Sequence, residues 1–134
     1  MPVTQLVASP LSFISIALGA VLGAWLRWGL ALWLNAHAGH LPWGTLAANL
    51  AGGYLVGLAL GLLAINPQWP DWVRLAVVTG FLGALTTFST FSAETLGLLQ
   101  AGRPLVALGY AGLSLFGSFA LTALGLLTVN LLRA

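Results

Sequence analysis

Three features of the sequence predict an all-α integral membrane protein with four transmembrane helices: four long apolar runs, very little charge, and short connections rich in turn formers. Of 134 residues, 60% are hydrophobic and 4% are charged, and the mean hydropathy is +1.02. A soluble domain carries roughly 25% charged residues, so this composition does not build a surface for water. The charged side chains are Arg27, Asp71, Arg74, Glu94, Arg103 and Arg133, with no lysine. A basic balance made of scattered arginines carries no implication of nucleic-acid binding. With no cysteine, a disulfide framework and a thiolate metal site are both excluded.

The apolar runs Leu11–Leu34, Trp43–Ile65, Trp72–Leu99 and Leu105–Leu132 each exceed the ~20 residues that cross a hydrocarbon core. They make residues 1–134 a single four-helix transmembrane domain. The connections Asn35–Pro42, Asn66–Asp71 and Gln100–Pro104 hold Asn-Pro and Gly-Arg-Pro turn signals, and none is long enough for a soluble active site. Trp28, Trp33, Trp43, Trp69 and Trp72 gather near span ends, where an aromatic belt sits at the interface. Met1–Pro10 lacks a basic n-region and a small-residue cleavage site, so the first apolar run is read as a retained helix.

The arginines are balanced across the membrane. One side would hold Arg74 and Arg133, the other Arg103 together with Arg27 at its nearer interface. The positive-inside rule then has nothing to act on. Either a weak bias goes unseen, or the chain inserts in both orientations and pairs as an antiparallel dimer. Gly19 and Gly23 align with Arg27, and Asn49, Gly53, Gly57 and Gly61 recur at every fourth position. That spacing shares one helix face, and small residues there let membrane helices approach closely.

Polar groups within the spans are the functional candidates. Arg27 would cost about 3 kcal/mol unpaired at mid-membrane, and anchoring or snorkelling is favoured over ion contact. Asn49 offers two donors and one acceptor, suited either to an anion or to an interhelical hydrogen bond. The third span carries Gly80 to Glu94, GFLGALTTFSTFSAE, with hydroxyls at Thr86, Thr87, Ser89 and Thr90. Its length and this polar cluster predict two half-helices with a break near Gly83–Thr87. Such breaks free backbone groups that bind ions; the competing reading is a continuous helix whose hydroxyls bond to the preceding turn. Phe88 and Phe91 are three residues apart, and ring edges carry positive partial charge. Glu94 is open between proton carrier, arginine partner and interfacial group.

In the fourth span Tyr110, Ser114, Ser118 and Thr122 fall every fourth residue, which sets hydroxyls along one face as a lined path. His37 and His40 are loop histidines with no accompanying ligand set. No phosphate loop, nucleophile elbow or carboxylate pair is present, and an enzyme is not expected.

Gly23-Ala-Trp-Leu-Arg27, Gly44 to Gly53 (GTLAANLAGG) and Gly80 to Glu94 together resemble the Fluc/CrcB fluoride channels, in the same order and across essentially the whole chain. The resemblance implies a dual-topology, antiparallel homodimer in a bacterial inner membrane, passing fluoride passively out of the cell. It implies two pathways, each built from both subunits. Asn49, Phe88 and Phe91 match pore positions, as does a hydroxyl track from Tyr110 through Ser114 and Ser118 to Thr122. Arg27 matches a vestibule arginine. It further implies a structural sodium ion at the dimer centre, held by backbone carbonyls at Gly83 and Thr86. Where the family has two glycines, this chain has Gly83-Ala84.

Two other readings stand beside it. A small dual-topology drug exporter would share the four spans and balanced charge, but requires an intramembrane carboxylate that the first span lacks. A non-transporting membrane subunit would use the same polar faces for assembly alone.

Overall fold

The computed structural model describes residues 8–37 and 41–134. Its elements are all helical. Helix α1 is Pro10–His37 and α2 is Trp43–Ile65. Helix α3, residues 71–85, is α-helical over Asp71–Arg74, π-helical over Leu75–Leu82 and α-helical again over Gly83–Leu85. Helix α4 is Phe88–Gln100 and α5 is Pro104–Arg133. Four helical stretches are long and apolar enough to cross a membrane: Pro10–Ala36, Trp43–Ile65, Asp71–Gln100 and Pro104–Arg133.

The connections are short and chemically explicit. Asn35 Oδ1 accepts from the Gly44 N–H at 2.9 Å, which ties the end of α1 to the first turn of α2. Asn66 ends α2, its N–H donating back to the Leu62 carbonyl at 3.1 Å, and Pro67 prevents continuation. After α4 the chain turns in a Schellman motif. Gly102 takes φ 72°, the Arg103 N–H donates to Leu98 O, and the Gly102 N–H donates to Leu99 O, both at 3.0 Å. Pro104 then occupies the first turn of α5, where its missing N–H costs nothing.

Packing follows the small residues. α1 lies along α3, and α2 lies along α5. A Cβ on Gly19 would overlap the Ala76 carbonyl, and one on Gly23 the Phe81 carbonyl. On the other pair, Gly57 faces the Thr122 carbonyl and Gly125 the Tyr54 carbonyl. Backbones therefore touch where soluble helices would interpose side chains. The buried interior is thin: Ala48, Leu82 and Leu85 form one cluster, and Leu46, Leu98, Ala107 and Tyr110 another. Outward positions such as Phe13, Trp25, Leu105 and Phe116 are large, apolar and exposed, as a lipid-facing surface requires.

Candidate functional site

Helical dihedrals hold through Gly83 (φ −62°, ψ −34°). Thr86 (φ −85°, ψ 151°) and Thr87 (φ −152°, ψ 120°) are extended, and α4 begins at Phe88. In an unbroken helix, the Gly83 carbonyl would accept from the Thr87 N–H and the Thr86 carbonyl from the Thr90 N–H. Both donors are engaged elsewhere. The Thr87 N–H donates to Asn49 Oδ1 at 2.7 Å, and the Thr90 N–H donates to Thr87 Oγ1 at 3.2 Å as the N-cap of α4. The Gly83 and Thr86 carbonyls are thus released from the helical ladder.

Asn49 grips Thr87 from both sides. Besides accepting that N–H, it donates through Nδ2 to the Thr87 carbonyl at 3.0 Å. The amide so satisfies one donor and one acceptor of the extended pair, and keeps one N–H bond direction for another ligand. Arg27 reaches the same region from α1, with Nε donating to the Ala84 carbonyl at 2.9 Å. The charge is therefore spent on a backbone acceptor in the turn that ends α3. Thr86 turns inward: its Oγ1 donates to Leu82 O at 2.9 Å, and its methyl sits against Gly52.

Beside this junction lies a cleft of about 280 Å³ lined by Asn49, Thr87, Phe88, Phe91, Ser114 and Ser118 together with apolar neighbours. The Phe88 and Phe91 ring centroids are 5.5 Å apart with planes tilted by 51°. Phe88 is 77% exposed in the single chain. Phe91 in turn meets Tyr110 at 5.5 Å. Ser114 Oγ is buried and has no hydrogen-bond partner among the described residues.

The hydroxyl face of α5 divides into three parts. Ser114 and Ser118 line the cleft. Thr122 donates to the Gly53 carbonyl at 3.0 Å and joins α5 to α2. Tyr110 points to Glu94, donating to Oε2 at 2.8 Å, while Thr45 donates to Oε1 at 2.8 Å. Glu94 is held by two hydroxyls, and no arginine pairs with it among the described residues. Thr45 was not singled out from the sequence, although it lies one turn before Asn49 on the same face. Thr87 likewise carries a structural role that its place in a run of hydroxyls does not reveal. Of the histidines, His40 lies outside the described residues and His37 ends α1.

These features define an all-helical, four-span membrane protein with a polar cleft where the third span leaves its helical path. The family model described as "CrcB-like protein, Camphor Resistance (CrcB)" matches residues 14–126, and the chain belongs to that family. It is 64% identical over 124 residues to the fluoride-specific ion channel FluC of Bordetella petrii, covering 92% of this chain and 95% of that protein. To FluC of Bordetella pertussis it is 62% identical over 128 residues, 96% and 98% of the two chains. FluC of Pseudomonas syringae pv. maculicola is 54% identical over 122 residues, 90% and 95% of the two.

Proposed function

We propose that the chain is a fluoride-selective channel that gives passive efflux of fluoride across a bacterial inner membrane, and that it works as an antiparallel, dual-topology homodimer. The observation that carries this reading is the cleft at the head of α4, where Asn49, Phe88, Phe91, Ser114 and Ser118 meet the N-terminal end of a thirteen-residue helix. Near-full-length relatives named as fluoride-specific channels support it. The family's activity is conduction, and no reaction is assigned to the site.

Fluoride is small and strongly hydrated, so a path must replace its water with donors at close range. Here the second Nδ2–H of Asn49, unengaged among the described residues, and the hydroxyls of Ser114 and Ser118 supply donors. Phe88 and Phe91 present positive ring edges, and the N-terminus of α4 favours an anion. Tyr110 and Thr122 serve the path indirectly: the first positions Phe91 and Glu94, the second closes α5 against α2. Arg27 acts as an anchor on α3, beside the approach to the cleft.

The structural sodium ion fits the donors present. Gly83 and Thr86 offer carbonyl oxygens freed from the helix, neutral hard ligands of the kind a monovalent cation takes at a broken membrane helix. The same pair from a second protomer would complete the set at the two-fold axis. When bound, the ion would join the two chains and add positive potential near the path.

The proposal predicts that expressing this chain in a fluoride-sensitive bacterium lacking its own exporter restores growth in fluoride. Unchanged sensitivity despite membrane-inserted protein would refute it.

A further inference from the structure

A second cleft, of about 370 Å³, opens where the end of α1 and the start of α2 face the turn between α4 and α5. Asn35, Pro42, Glu94, Gly97 and Arg103 line it. We propose that this cleft is an outer mouth of the anion path, and that Arg103 is the charge that gathers fluoride there. The inference rests on the channel reading and extends it beyond the cleft at Asn49.

Three observations support this. First, the clefts lie on either side of one short run of contacting side chains: Phe91 and Ser114 line the inner one, the Phe91 ring meets Tyr110 at a tilt, and Tyr110 donates to Glu94, which lines the outer one. Second, Glu94 would repel an anion at this mouth, yet its oxygens are held by Thr45 and Tyr110. Third, Arg103 places a cation in the lining of this cleft. The Schellman turn fixes its backbone, and its guanidinium makes no ion pair or hydrogen bond among the described residues. A cation at a low-dielectric cleft raises the local concentration of anions and the rate at which they enter.

Such steering is screened by salt, which separates it from a structural role. The Debye length falls from ~30 Å at 0.01 M to ~3 Å at 1 M ionic strength. Fluoride flux through proteoliposomes is measured at both, with fluoride activity held constant. For Arg103→Gln the expected flux at low ionic strength is about three- to tenfold below the unsubstituted chain, converging with it at high ionic strength; Arg103→Lys remains close to the unsubstituted chain. Because the chain has no cysteine, Arg103→Cys gives a single handle that can be modified after folding. A cationic thiosulfonate reagent restores the flux and an anionic one lowers it further. Equal flux for Arg103→Gln at low ionic strength, an equal deficit at both ionic strengths, or indifference to the sign of the reagent would overturn the mouth. Absence of flux from the unsubstituted chain would instead remove the channel reading, and the mouth with it.

Discussion

Asn49 has one amide with which to hold the third span together and, on the proposed channel reading, to meet an anion. Both atoms that grip Thr87 are needed for the fold at that point, because an unpaired backbone group there costs about 1–3 kcal/mol. Asn49→Ala should therefore lower the thermal stability of the solubilised protein and also lower fluoride flux at least tenfold. Ser114 separates the two effects. Its hydroxyl is buried without a hydrogen-bond partner among the described residues, so Ser114→Ala removes a desolvated donor and should leave stability unchanged or higher while slowing flux. A flux equal to that of the unsubstituted chain would take Ser114 out of the path. Arg27 illustrates why residue identity alone was insufficient. An intramembrane arginine reads as an anchor or as an ion contact, and only its position opposite Ala84 shows which atom it serves. Arg27→Gln is expected to destabilise the protein by about 1–3 kcal/mol, measured by thermal unfolding in detergent.

At the scale of elements, the extended pair Thr86–Thr87 depends on a cap and on close packing. Thr87→Val removes the N-cap of α4 and should cost about 1 kcal/mol, with a parallel loss of flux because Phe88 and Phe91 hang on that helix. Gly57→Leu would drive a side chain into the Thr122 carbonyl and separate α2 from α5. The expected outcome is little or no monodisperse protein on size exclusion. Much of this level was readable beforehand. Hydropathy outlined the spans, and the every-fourth-residue glycines marked the contact faces because a membrane helix pair leaves few alternatives. The hydroxyl-rich run drew attention to Thr86–Thr87, although Gly83 itself keeps helical dihedrals. The π-helical stretch Leu75–Leu82, which packs along α1, had no such signal in the sequence. The Thr45–Glu94–Tyr110 cluster was hidden too: three elements must pack before those residues meet, whereas the fourth-span spacing suggested one uniform track.

For the whole molecule, the proposed second copy would cover the exposed Phe88 ring and bring a second pair of freed Gly83 and Thr86 carbonyls beside the first. If the balanced arginines set dual topology, biasing the connection between α2 and α3 with Asn66→Lys and Gln68→Lys should force one orientation. That variant alone would fail to protect cells, and co-expression with an oppositely biased copy would restore protection. Full protection by the biased copy alone would argue for a parallel assembly. The most direct measurement is ion efflux from liposomes holding the purified chain, followed with a fluoride electrode and, in parallel, a chloride electrode. A fluoride channel releases fluoride rapidly and passively and leaves chloride inside. Retained fluoride from a well-folded preparation, or release of both ions alike, would contradict it.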